Sequence, residues 1–135
     1  MRFTKITIIA RKAPSQTNVN DLLKWFGASL GLFNLRDKDS SCFRIFVILV
    51  NDLRSGKIGL SSDEIAYKAN LSRGTVVHHL NKLIESGLVV NADNKYFLKV
   101  NSLEELVFEV EDNITNYLEN LKLVGRNLDE KIGLK

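Results

Sequence analysis

Apolar positions fall at helical spacing in five stretches of this chain and switch to β-type runs in one, and that order sets the expected architecture. From Val19 onward, Leu22, Leu23, Phe26 and Leu30 recur on one helical face, and Gly31 is placed to end the segment. Trp25 falls off that stripe, at a helix edge or an interface. A second helix is expected to start at Asp39 to Ser41, where small polar residues can cap exposed amides, and to run through Phe43, Phe46, Val47, Val50 and Leu53 to a stop at Gly56. Ile45, Ile48 and Leu49 make it apolar almost all round, the mark of a central helix.

Lys57 to Leu60 reads as a connector or a brief strand. Ser61-x-x-Glu64 then forms a capping box opening a short helix through Ile65, Ala66 and Ala69. Asn70 and Leu71 make a tight turn, and Ser72 caps the next helix, whose inner face is Val76, Val77, Leu80, Leu83 and Ile84, with Gly87 as its stop. Leu88 to Val90 and Tyr96 to Val100 are β-type runs around Asn91 to Lys95, a turn by composition. Helix, tight turn, helix and hairpin make a helix-turn-helix with a wing.

Ser102-x-x-Glu105 is read as a second capping box, opening a long helix from about Leu103 to Val124, with the tail after Gly125 fraying. Along it Leu103, Val107, Val110, Ile114, Tyr117, Leu121 and Val124 follow at steps of four and three, a heptad seam that Leu106 and Leu118 broaden. Such a seam packs either on the chain's own first helices or on a second copy, and the expected role is dimerisation. The fold class expected is mainly α with a small β-hairpin (α+β): a winged helix-turn-helix with an added long C-terminal helix. Residues 1–18 form an N-terminal strand or arm, 19–100 the DNA-binding domain, and 101–135 the dimerisation helix and tail. Within the first segment, residues 3–10 are rich in β-branched side chains.

Charge sharpens this picture. The chain of 135 residues has a net charge of +3, yet residues 1–53 carry +4, residues 54–100 carry +3, and residues 101–135 carry −4. The body suits an anionic partner and the C-terminal helix another task. The lone Cys42, among Phe43, Ile45 and Phe46, excludes an internal disulfide and reads as a small buried hydrophobe. The longest apolar run, Ile45 to Val50, is far short of a membrane span, and the N-terminus lacks a secretory core, so a cytoplasmic protein with no membrane association is expected.

Placing residues 100° apart turns Thr75, His78, Lys82 and Glu85 away from the core, with His79 and Asn81 on the flanks. Hydroxyl, imidazole and ammonium groups on one such face can meet phosphates or base edges. Arg73, in the first helical turn, is the leading candidate contact. Asn94 and Lys95, with Lys99 beside them, would bring the wing to the neighbouring backbone or the minor groove. The segment Leu71-Ser-Arg-Gly-Thr-Val-Val-His-His-Leu-Asn-Lys-Leu-Ile-Glu-Ser-Gly-Leu-Val89, within Ser61 to Val90, resembles the core of ArsR-type winged-helix regulators, and Phe43 to Leu53 resembles the helix preceding it. Leu30 to Leu49 is equally similar to the entry helices of MarR and TrmB-like groups. The resemblance covers about residues 40–100. It implies DNA contacts at Ser72, Arg73, Thr75 and His78, with Lys95 in the wing. Two positions depart from it. Gly74 stands where Pro or another small residue is common, and Val77 where a contacting serine is common, so Val77 either packs inward or touches a thymine methyl.

Other chemistries fit less well. His78 and His79 diverge by 100° on their helix, no cysteine pair accompanies them, and no metal site or cofactor is expected. Asp37, Asp39, Asp63 and Glu64 sit where helix starts favour acids. With no nucleophile and base pair and no phosphate-binding glycine loop, an enzyme is not expected. The reading is therefore a homodimeric regulator of double-stranded DNA, most simply a repressor, with any small-molecule effector bound at the dimer seam or beside the first helix. The alternative is a winged-helix module that binds protein in a transcription or replication assembly, through Trp25 or the basic arm Arg2 to Lys12.

Overall fold

The computed structural model describes residues 7–15, 18–34 and 40–134. Five helices and one hairpin follow in the order α1 (Val19–Ser29), α2 (Ser41–Arg54), α3 (Ser62–Ala69), α4 (Arg73–Glu85), β1 (Val89–Ala92), β2 (Lys95–Leu98) and α5 (Leu103–Ile132). The fold is mainly helical with a two-stranded antiparallel hairpin, a winged helix-turn-helix with a long C-terminal helix.

The core gathers around α2. Ile45, Phe46 and Leu49 are fully buried there and meet Ile65 of α3, Val76 and Leu80 of α4, Leu88 and Leu98 of the hairpin, and Leu106 of α5. Removing each such side chain from water stabilises the fold by about 1.5–3 kcal/mol. Phe33 meets Phe43 edge-on at 5.4 Å between ring centroids, and it stands so close to Gly27 of α1 that any side chain at Gly27 would collide with its ring. The Arg44 guanidinium donates to the Ala69 carbonyl at 2.6 Å, fixing α2 to the end of α3.

Asp52, at the end of α2, is the buried charge of this region. Its carboxylate accepts from the Gly59 amide at 3.1 and 3.2 Å, and Gly59 adopts a left-handed φ of +88° in the bend between α2 and α3. In the same bend the Lys57 ammonium donates to the Lys99 and Val100 carbonyls and to Asn101 Oδ1, each at 3.1 Å. Leu60 then bridges to Tyr96, its amide donating at 3.0 Å and its carbonyl accepting at 2.7 Å. The expected connector is thus a strand-like anchor that holds the wing against α2 and α3.

The hairpin turn is tighter than composition suggested. Val89 pairs with Leu98 and Ala92 with Lys95, leaving Asp93 and Asn94 as a two-residue turn with φ of 53° and 62°, the signature of type I′. Of the two alternatives for the N-terminal segment, residues 7–10 form no strand, and the Ile9 amide donates to the Ser29 carbonyl at 2.9 Å; residues 1–6, with the rest of that segment and part of the basic stretch, lie outside the described residues. One helix start is corrected. Ser40 precedes α2 in the left-handed region and makes no side-chain cap; Asp39 lies outside the described residues.

The long helix differs at both ends. Ser102 Oγ accepts from the Glu105 amide at 3.0 Å, but the Glu105 carboxylate reaches back one residue further than a capping box requires, to the Asn101 amide at 2.8 Å. The tail does not fray at Gly125: the helix continues to Ile132, which makes it about 45 Å long at 1.5 Å per residue. Its early seam residues divide between environments. Val110 and Leu106 are buried, Leu103 and Ile114 pack on the core, and Val107 is exposed.

Candidate nucleic-acid interface

The second helix of the helix-turn-helix is presented by its own N-terminus. Ser72, in extended conformation, accepts the Thr75 amide at 3.1 Å, and its hydroxyl donates to Thr75 Oγ1 at 2.8 Å. Both hydroxyls are thereby oriented before any ligand arrives. Arg73 projects beside them, its Nε 3.5 Å from the Asp63 carboxylate with both side chains largely in water, a pairing that holds little energy and is readily exchanged for a phosphate or a guanine.

Gly74 follows with open space around it. A methyl group there would meet nothing within 4 Å, so no packing inside the chain calls for a glycine. A backbone bare at this point lets another surface come close to the first turn of α4, where free amides face outward.

Beyond the first turn, α4 divides into two faces. Val76, Leu80 and Leu83 are buried, and Val77 and Ile84 are half-buried. Val77 therefore leans toward the core without being sealed in it. His78, Asn81, Lys82 and Glu85 are exposed, while Thr75 and His79 are half-buried. The His78 and His79 rings meet edge to face at 5.5 Å between centroids, which sets them together at the flank of the outer face. Among the described residues no three His, Cys, Asp or Glu side chains gather as metal ligands would.

On the wing Asn94, Lys95 and Lys99 are exposed. Asp93 shares the tip, so the wing ends in mixed charge rather than a purely cationic loop. Lys95 also faces the start of α3. There the Ser61 amide and hydroxyl hold the Glu64 carboxyl below its ordinary value near 4.5, helped by the nearby ammonium groups of Lys95 and Lys68. The capping box is reciprocal, with both bonds at 3.1 Å. A groove of about 340 Å³ beside it is lined by Asn51, Ser55, Glu64, Lys68 and Lys95.

The structure thus brings Ser72, Arg73, Thr75, His78, His79, Asn81 and Lys82 together on α4 and sets Asn94 and Lys95 on the adjoining hairpin. Sequence reasoning did not single out Asp52, Lys57 and Lys68. The first two position the wing; the only signal for them was a charged residue at each end of the Asp52-Leu-Arg-Ser-Gly-Lys57 bend, which has no local periodicity to mark it.

Residues 48–90, from the second half of α2 through α4 to β1, match the family model described as bacterial regulatory protein, ArsR family. No curated protein and no solved structure matches the chain. The match indicates a DNA-binding regulator rather than an enzyme. Among the described residues no helix is long and apolar enough to cross a membrane.

Proposed function

We propose that the chain, whose residues 48–90 match the ArsR-family regulator model, acts in the cytoplasm as a homodimer that recognises a pseudo-palindromic double-stranded operator. The observation that carries this reading is the outer face of α4. It holds hydroxyl, guanidinium, imidazole, amide and ammonium groups that the fold itself leaves in water, beside a glycine that nothing in the chain requires. Arg73 and the Ser72–Thr75 hydroxyl pair meet the duplex first. His78, His79, Asn81 and Lys82 follow along the groove, and Asn94 and Lys95 of the wing reach the adjacent backbone.

Residues 19–100 form the DNA-binding unit. Residues 101–135 join two copies through α5, with α1 alongside, and residues 1–18 are an arm. Phosphate contacts supply much of the affinity, and base contacts on α4 supply the choice of site. Repression by occupying the promoter is the simplest output of such a dimer.

The test is binding to random and genomic-fragment duplexes across a salt series, with mass measured in the same buffers. Tight binding by a dimer that weakens steeply with salt and selects a two-fold site is expected. Absence of duplex binding at low salt would overturn the reading in favour of a winged-helix module that binds protein.

A further inference from the structure

The apolar stripe of α5 runs from residues that close the core to residues that stand exposed. Leu103, Leu106, Val110 and Ile114 pack on the body. Tyr117, Leu121, Val124 and Leu128 continue the same face at steps of four and three, and they are 64%, 49%, 56% and 52% exposed. The flanks of this distal stretch are regular as well. Asn113, Asn120 and Asn127 stand seven apart on one side, and Leu118, Gly125 and Ile132 seven apart on the other. Gly125 weakens the middle of a helix, and no contact within the chain explains it, since a methyl group there would meet nothing within 4 Å.

We propose that the distal half of α5 pairs with the same half of a second copy in antiparallel orientation, with Tyr117 set against the second copy's Leu128 and Leu121 against its Val124. This deepens the homodimer reading above and rests on it. Four reciprocal layers result, all apolar. In an antiparallel pair each flank of a seam meets its own kind, whereas in a parallel pair each meets the opposite flank. Antiparallel pairing therefore lays Asn120 beside the second copy's Asn127, amide to amide, and Leu118 over its Gly125, large on small. A parallel pair in register would set Asn120 against Gly125 and Asn127 against Ile132.

Charge and length select the same arrangement. Lys131 occupies the next seam position after Leu128. In a parallel pair it would face its own copy across the seam, a like-charge contact. In the antiparallel pair it comes level with the second copy's Ile114, next to Glu111 and Asp112 on the acidic first half of α5. Ile132, the last helical residue, reaches the level of the second copy's Asn113, where that helix's stripe turns onto its own core. Each helix thus ends where the other body begins.

Disulfide trapping tests the register. Tyr117→Cys and Leu128→Cys are made separately in a Cys42→Ser background, where serine keeps a donor for the Leu32 carbonyl. Each variant is oxidised alone and after refolding as a mixture, and mass is measured without oxidant. The antiparallel pair gives a covalent dimer in the mixture and only background cross-linking of either variant alone. Each position then lies eleven residues, about 16 Å along the axis, from its own copy, well beyond the ~4.4–6.8 Å between disulfide-bonded Cα atoms. Cross-linking of both variants alone would overturn the antiparallel arrangement, and a dimeric mass with no cross-link in any sample would do the same; either result leaves the homodimer standing. A monomeric mass at every concentration would overturn both.

Discussion

The two halves of α5 share one sequence pattern and meet opposite surroundings. Up to Ile114 the stripe packs on the chain's own core except at Val107, and Leu106 is 1% exposed; from Tyr117 onward the same spacing faces solvent. Helix α4 repeats the contrast across its width, with Val76 and Leu80 sealed and His78 and Lys82 in water. Inner positions hold the fold together, and outer positions are free to hold something else. Periodicity marks a face as apolar or polar but not what will cover it, so the same spacing packs on the core in one half of α5 and stands in solvent in the other.

The largest separation of the two roles is expected from truncation on α5. Leu106→Ala should destabilise the fold by about 2–5 kcal/mol, because a fully buried leucine leaves a cavity, while Leu121→Ala should leave the unfolding free energy of the single chain nearly unchanged and shift its mass toward monomer. Denaturant titration at low protein concentration, paired with light scattering, reads both. Equal stability losses from the two variants would break the comparison.

Next comes Arg73→Ala on the outer face of α4. Duplex affinity should fall by roughly 1–3 kcal/mol if the guanidinium reads a base. The fold should hardly notice, since its exposed pairing with Asp63 contributes at most about 1 kcal/mol. Affinity from fluorescence anisotropy and stability from urea unfolding must move independently for this position to count as outer.

Gly74→Ala sharpens the contrast further, because the two readouts should move in opposite directions. The free chain should gain about 0.5–1 kcal/mol, as alanine is the better helix former and the site is open. Duplex binding should weaken as the new methyl group meets the approaching backbone. Unchanged binding would show that no surface comes close to Gly74.

The smallest effect is expected at Glu64, where the fold is tuned rather than held. Its folded pKa lies below the ordinary value near 4.5, so the stability its charge confers is present above that value and is lost as pH falls through the lowered folded value. The advantage of the wild type over Glu64→Gln should therefore shrink as unfolding is measured at successively lower pH across that window. An advantage independent of pH would mean that the capping bond, not the charge, matters.

Much of this could be read from residues alone because it is local. Ser61, Ser72 and Ser102 each announce a helix start, since a short hydroxyl side chain satisfies an amide two or three residues ahead whatever else surrounds it. The outer face of α4 followed from the 100° step between neighbours, although that step set Val77 on the inner face, where the structure leaves it half-buried. Two local details were nonetheless misread. The type I′ turn at Asp93 and Asn94 reflects the ladder register across the hairpin, and Glu105 bonds to the Asn101 amide, one residue before the cap that the Ser-x-x-Glu spacing points to.

By itself, then, the sequence determined the winged helix-turn-helix: the capped starts of α3, α4 and α5, the inner and outer faces of α4, and the family model that residues 48–90 match. Only the tertiary structure decided where the α5 stripe leaves the core, how Asp52 and Lys57 pin the wing, and which glycines have no neighbour inside the chain. The physical reason is range. Capping and amphipathicity act within a few residues, whereas burial depends on which distant surfaces arrive first and how far they reach.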